Sequence, residues 1–226
     1  VEALELLSAE AAACGAHLHA AHVSDPRSVP VLKRHGATSE VTPHHLLLNS
    51  KDVDRLGAYA KVNPPIRDEE DRAGLFQALA QGRLDCVASD HAPHTKAEKD
   101  AGFDEAPSGL PGVETLYPLM LAQALEGNIS IQRVLDACCA SPGRVLGLPV
   151  GTFETNQWAS FVHVPETPQE IRAEDLHSRC GWSPFEGHMG LFPDALMVRG
   201  RWVMRDHELL ARPGDGRFVG GPGWPL

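Results

Sequence analysis

An α/β fold built on parallel strands, arranged as a sheet or barrel and followed by a smaller β region, is the architecture this sequence predicts. Three observations lead there. Strand-like and helix-like runs alternate up to about residue 146, the pattern of a parallel sheet with helical crossovers. Three successive strand-like runs end in His or Asp, and in a β/α barrel the C-terminal strand ends form the face that carries chemistry. From Gly147 onward the helical period disappears, and short β-like pieces follow one another between prolines and glycines.

Taken in order, Val1, Leu4, Leu7 and Ala11 recur at helical spacing over residues 1–14, and Gly15 is a suitable stop. HLHAAHVS, 17–24, alternates in character as a strand does and enters a polar end. Asp25-Pro26 offers a cap and a first-turn proline for a helix that Gly36 ends, although Pro30 removes one of its hydrogen bonds. ATSEVTPHHLLL, 37–48, reads as a second strand running into a loop. Asp68 caps a helix, DEEDRAGLFQALAQ, which packs through Leu75, Phe76 and Leu79 and stops before Gly82. LDCVAS, 84–89, is a short buried strand that ends in the polar run DHAPH. A Gly- and Pro-rich loop continues to Gly112, and helices are expected over about 113–126 and 130–140. In the tail, FVHV at 161–164 and ALMVRGRWVM at 195–204 are strand-like.

The 226 residues, 42% hydrophobic and 22% charged, can bury a core of ordinary size. No apolar stretch is long enough for a membrane span, and the acidic N-terminal segment is unlike a signal peptide. The net charge is −10, with Lys and Arg scattered, so neither nucleic acid nor an anionic membrane is an expected partner. An anionic small substrate remains compatible, because a metal ion or a few Arg and His residues set the sign inside a pocket. Cys14, Cys86, Cys138, Cys139 and Cys180 are odd in number and form no C-x-x-C pair, as expected of a reduced, cytoplasmic protein without disulfides.

Histidine carries the first functional signal. Of 12 in the chain, His17, His19, His22, His35, His44, His45, His91 and His94 all precede residue 95. Gathered at strand ends they suggest a metal or acid–base site, although a single histidine is more often structural. His17-x-His19 on a strand places both rings on one face, a common metal pair, but its position ahead of His22 puts it deeper or on the other face. The strongest single motif is S-D-H-A-P-H at 89–94. Asp90 closes a buried strand, where a carboxylate is costly unless a metal or strong donor meets it. The plain alternative is a turn of S-D-x-x-P type.

Five segments in order, H-V-S at 22–24, E-V-T-P-H-H-L at 40–46, K-V-N-P-P-I-R at 61–67, S-D-H-A-P-H-T at 89–95 and A-P-S-G-L-P-G-V-E-T at 106–115, resemble the signatures of the class I dihydroorotases of the amidohydrolase superfamily. S-P-G-R at 141–144 and G-W-S-P-F-E-G at 181–187 extend the likeness into the tail, so that it covers nearly the whole chain. The resemblance implies the C-terminal half of a (β/α)8 barrel over residues 1–146 and a C-terminal β extension, part of a β-sandwich, over 147–226. It implies that His22 and Asp90 bind zinc, that Asp90 is also the general base, and that Asn63, His94, Ser108 and Gly109 meet the substrate. His44 and His45 are then neighbours of the site rather than ligands. The implied reaction is the reversible closure of N-carbamoyl-L-aspartate to dihydroorotate in pyrimidine biosynthesis, with one or two zinc ions in the complete enzyme.

The family's H-x-H-x-x-R, its bridging carbamylated Lys or Asp and its H-C-E-D-like histidine have no counterpart in this sequence. The expectation is therefore a chain that binds zinc weakly or not at all by itself and is inactive alone. His22 and Asp90 are expected at neighbouring strand ends, and LDCVAS is expected to face water on one side where the barrel is open. The resemblance also implies a homo-oligomer and an association with aspartate transcarbamoylase. Two other readings stand beside it. One is another cyclic amidohydrolase, an allantoinase or hydantoinase, whose sequences vary at the positions of Asn63 and His94. The other is an inactive scaffold subunit of a transcarbamoylase complex, against which the intact His22 and Asp90 argue.

Overall fold

A computed structural model describes residues 1–155 and 157–218; Asn156 and residues 219–226, the end of the expected β extension, lie outside the described residues. The helices are α1 (Glu2–Ala13), α2 (Val29–Arg34), α3 (Pro43–Leu47), α4 (Ser50–Leu56), α5 (Glu69–Ala80), α6 (Lys96–Lys99), α7 (Leu116–Leu125), α8 (Ile131–Leu135) and α9 (Ser141–Leu146). The strands are β1 (His19–Ala20), β2 (Thr38–Val41), β3 (Cys86–Val87), β4 (Phe161–His163), β5 (Gln169–Glu170), β6 (Met189–Gly190), β7 (Ala195–Val198), β8 (Arg201–Arg205) and β9 (Glu208–Leu209). No helix among the described residues is long and apolar enough to cross a membrane.

β1, β2 and β3 form a parallel sheet with β2 in the middle, in the register His19↔Thr38 and Glu40↔Cys86. The described residues thus contribute three parallel strands, one fewer than half of an eight-stranded barrel. Alternation along β2 buries Ser39 and Val41 on the helix side. There Val23, Leu32, Val41, Leu75, Leu79, Val87, Met120 and Val134 form the larger core. α5 owes its place to Asp68, whose side chain accepts from the Asp71 backbone N–H (2.9 Å), and to three acidic residues in the first turn, which suit the positive end of a helix. It buries Leu75, Ala78 and Leu79. Each of the two leucines removed from water is worth about 2 kcal/mol.

The opposite sheet face differs from expectation. Where bare apolar strand residues are expected, it carries a polar ladder: the His19 ring meets Thr38 Oγ1 (2.8 Å) and Glu40 Oε2 (3.1 Å). LDCVAS does not face water either, since Leu84, Cys86 and Val87 are buried. The π turn Asp136–Ala140, which continues α8, packs against β3 and helps to cover it.

One further sequence expectation is corrected, and one strand-like run divides in two. PHHLL is helix α3, because Thr42 caps it and Pro43 opens its first turn. ALMVRGRWVM is a hairpin, because Arg199 (φ 50°) and Gly200 (φ 76°) take left-handed conformations between β7 and β8. β4, β7, β8 and β9 make one antiparallel sheet, and β5 pairs with β6. A second core, of Leu48, Ala60, Val62, Ile66, Leu110, Leu119, Ile171, Trp182 and Phe185, joins the tail to the loops that follow the parallel strands.

Candidate active site

The C-terminal ends of the parallel strands gather the residues singled out by the sequence. His22 follows β1, Thr42 to His45 follow β2, and Asp90 follows β3. His22 and Asp90 are therefore not on neighbouring strands, as the sequence suggested; β2 lies between them, hydrogen-bonded to both sides through Val23 N–H to Glu40 O (2.8 Å) and Ala88 N–H to Val41 O (3.0 Å). Both are half-buried, and both have positive φ, 38° at His22 and 46° at Asp90. A left-handed backbone is unfavourable for residues with a Cβ, and such outliers concentrate at functional sites. Among the described residues neither side chain makes a hydrogen bond or ion pair.

Between them stand two buried imidazoles. His45 accepts from the Thr42 hydroxyl at Nδ1 (2.7 Å) and donates from Nε2 to the Pro64 carbonyl (3.0 Å). That pattern needs the neutral ring, and burial pushes its pKa down to about 4, with the nearby His22 lowering it further and Asp90 opposing. His44 stacks tilted against His45 at 4.5 Å, and its Nε2 is buried without a hydrogen-bond partner. Burial likewise drives the His44 pKa far down.

The second group of residues comes together through backbone pairing. The loop after the motif at 89–94 runs alongside it: His91 bridges Leu110, Ala92 N–H donates to Leu110 O (3.0 Å), and the His91 ring accepts from Gly112 N–H (3.0 Å). His94 Nε2 lies 3.2 Å from the Ser108 carbonyl, and its own carbonyl accepts from Trp182 Nε1 (2.7 Å). Gly109 packs so closely that a Cβ there would stand 2.5 Å from Ala92 O and 3.1 Å from His94 Nε2, and its φ of 142° is a glycine conformation. Gly109 N–H donates to Lys61 O (2.9 Å), which ties the loop to the segment bearing Asn63. Asn63 itself is exposed.

The site thus has two parts joined by residues 90–94. One is the pair His22 and Asp90 around His45; the other is His94, Ser108 and Gly109, with Asn63 on the segment that Lys61 O ties to Gly109. His17 and His19 stay apart from both, engaged with Thr38 and Glu40 below the strand ends. Among the described residues no three His, Cys, Asp or Glu side chains converge as a metal cluster. The nitrogen of His22 and the oxygens of Asp90 are suitable zinc donors in type, free and held in place by strained backbone, but structural and catalytic zinc sites take three or four protein ligands. Two such donors fall short of that number.

Sequence reasoning missed Lys99. The side chain is 1% exposed, and its ammonium donates to Pro107 O (2.8 Å) and Lys61 O (3.3 Å) and lies 5.6 Å from the Trp182 ring centre. Desolvation lowers its pKa to about 8. A lysine in K-A-E-K reads as solvated, and only the fold shows otherwise.

No family model matches the chain. Among curated proteins, the dihydroorotase of Halobacterium salinarum is 48% identical over 207 residues, 91% of this chain and 49% of that protein. The dihydroorotase of Methanosarcina mazei is 37% identical over 236 residues, 98% of this chain and 51% of that protein. Among solved structures, an L-hydantoinase (dihydropyrimidinase) from Arthrobacter aurescens matches with a TM-score of 0.87 at 28% identity, covering 93% of this chain and 49% of that one. The chain spans about half the length of the curated relatives it matches.

Proposed function

We propose that this chain, a homologue of the dihydroorotases over most of its length, is the C-terminal part of a zinc-dependent dihydroorotase, with residues 1–146 belonging to the barrel and the remainder to a β extension. The observation that carries the substrate assignment is the way His94 is built in. Its ring lies on the Ser108 carbonyl and its backbone is held by Trp182, so that it stands fixed beside the strand end that carries Asp90. The resemblance to the class I dihydroorotases implies that hydantoinases and allantoinases vary at this position and at Asn63.

His22 and Asp90 would hold zinc together with donors that these residues do not bring together. Bound there, zinc supplies Lewis acidity, polarising an amide carbonyl and making water nucleophilic near neutral pH. The chain's own contribution follows from its groups. The Asp90 carboxylate accepts the proton of the attacking water and returns it to the departing ring nitrogen. The Asn63 amide, and the His94 Nε2–H shared with the Ser108 carbonyl, offer donors to the ring and its carboxylate, and the Ser108–Gly109 turn closes against them, so that the reacting amide is held in one orientation. In the reverse direction Asp90 takes the proton from the carbamoyl nitrogen as that nitrogen attacks the side-chain carboxyl carbon, and returns it to the carboxyl oxygen that leaves. His45, neutral and doubly hydrogen-bonded, keeps β2 and the Pro64 segment in place between the two parts.

The test is turnover by the full-length protein with zinc, measured on dihydroorotate, hydantoin, allantoin and dihydrouracil. Dihydroorotate is expected to exceed the others in kcat/KM by at least about a hundredfold, the discrimination that a site built for a carboxylate gives against analogues lacking it. A preference for hydantoin or allantoin would overturn the substrate assignment. No turnover of any of them by zinc-loaded full-length protein would favour a scaffold subunit.

A further inference from the structure

We propose that Lys99 is a positioning residue, which sets the spacing between the Asn63 segment and the Ser108–Gly109 turn and thereby the width of the substrate pocket. The proposal rests on the dihydroorotase reading for the identity of the substrate, and on the geometry alone for what Lys99 holds.

Lys99 ends α6, a single turn that directly follows His94. The turn is fixed by a capping box: Thr95 N–H donates to Glu98 Oε2 (2.7 Å) and Glu98 N–H to Thr95 Oγ1 (3.3 Å). From there the ammonium reaches inward to two carbonyls, Pro107 O and Lys61 O. Ser108 and Gly109 come immediately after the first, and Asn63 lies two residues beyond the second. Lys61 O is shared, since it also accepts Gly109 N–H. Trp182 closes the circle, with its ring beneath the ammonium and its Nε1–H on the carbonyl of His94. One cation therefore touches or adjoins every segment that bears a proposed substrate contact.

Stability does not account for this lysine. Among the described residues it has no carboxylate partner, and a buried ammonium with only carbonyl and ring neighbours is costly compared with an apolar side chain of the same length. An apolar residue would fill the volume but would remove the donor that spans the Lys61 and Pro107 carbonyls, leaving the tie between the two segments to Gly109 N–H on Lys61 O. Fixing loop geometry at a cost in fold stability is the pattern of a residue kept for its site.

The experiment is Lys99→Met in the full-length, zinc-loaded protein, with steady-state kinetics on dihydroorotate, zinc content and amide hydrogen exchange. The expected result is a KM raised tenfold or more, with kcat changed less than threefold. Zinc content should stay normal, and exchange should accelerate at least tenfold at the Gly109 and Ala92 amides but not in β2. Lys99→Gln, which keeps an N–H donor without the charge, should fall between the two proteins and replaces Lys99→Met if that variant does not fold. Unchanged KM and unchanged exchange at Gly109 would overturn the proposal. So would exchange accelerated throughout the molecule with kcat and KM worsened together, the signature of a merely structural residue. If the unsubstituted full-length protein fails to turn over dihydroorotate, the functional reading falls, and exchange at Gly109 still decides what Lys99 holds.

Discussion

His22 and Asp90 follow the two strands that flank β2, and both hold a left-handed backbone, φ 38° and 46°, where among the described residues their side chains make no hydrogen bond or ion pair. Two strained, unpartnered metal-type donors on either side of one central strand are expensive unless a ligand engages them. Asn tolerates this backbone region better than His or Asp. His22→Asn and Asp90→Asn should therefore leave metal-free stability unchanged or raise it by up to about 1 kcal/mol. On the proposed zinc assignment, each should weaken zinc binding by at least an order of magnitude in the full-length protein, since one proposed ligand is lost or its charge removed. Thermal melts without metal and zinc titrations check this pair of signs; a lower melting temperature with unchanged zinc affinity would show that the two residues serve the fold.

How far the sequence discloses this arrangement depends on the length of the signal. α5 is legible because a cap, an acidic first turn and a periodic apolar face coincide over residues 68–81. β1 and β3 have only two residues each, too few to show a period, and what marks them is the polar residue that ends each run. Strand order is less legible still: that β2 separates His22 from Asp90 follows from pairing over long sequence distances, which local pattern does not encode. The close approach of Gly109 to Ala92 is foreshadowed by S-G-L-P-G, since glycines in such a loop mark backbone that must come near something. Lys99 has no such mark, because its burial is made by residues 61, 107 and 182.

Gly109→Ala should be disruptive for a nameable reason. The new methyl would stand 2.5 Å from the Ala92 carbonyl oxygen and 2.8 Å from its Cβ, in a backbone conformation that side chains avoid. Displacing the loop should cost about 2–4 kcal/mol and reduce dihydroorotate turnover, while zinc content stays normal because His22 and Asp90 are untouched. Normal kinetics in this variant would place the Ser108–Gly109 turn outside the pocket.

Residues 1–226 by themselves should not retain stoichiometric zinc. His22 and Asp90 are two donors, and no third His, Cys, Asp or Glu joins them among the described residues. Metal analysis after dialysis against a mild chelator gives the answer, and one zinc ion per chain surviving that treatment would mean that an unforeseen donor completes the site.

His94→Ala separates substrate binding from metal binding. The ring lies on the Ser108 carbonyl at 3.2 Å, four residues beyond Asp90, and makes no hydrogen bond with His22 or Asp90 among the described residues. In the full-length protein the substitution should lower kcat/KM for dihydroorotate by about 10²-fold or more, with zinc retained. Loss of zinc accompanied by normal kinetics after reconstitution would assign His94 to the metal instead.

The last expectation concerns pH and uses the buried cation of Lys99. Its pKa is lowered from the ordinary 10.5 to about 8 in the folded protein, mainly by desolvation and further by Lys61. Below pH 8 the side chain is charged in both folded and unfolded states, and the folded state carries the cost of burying the charge. Between pH 8 and 10.5 the unfolded chain binds more protons at this position than the folded one, so stability from this group rises with pH. Above 10.5 it is neutral in both states and the cost is gone. The full span is at most of the order of 3 kcal/mol. Lys99→Met removes the titrating group, so the variant should exceed the unsubstituted protein in stability most clearly below pH 8, and the gap should narrow as pH rises towards 10.5. Taking the difference between the two proteins cancels the tyrosines and cysteines that titrate in the same range. Denaturant melts at pH 7, 8.5 and 10 measure it: a gap that is constant across the three would mean that the ammonium is as well solvated in the fold as out of it, and one that widens with pH would mean that its carbonyl partners more than offset the burial.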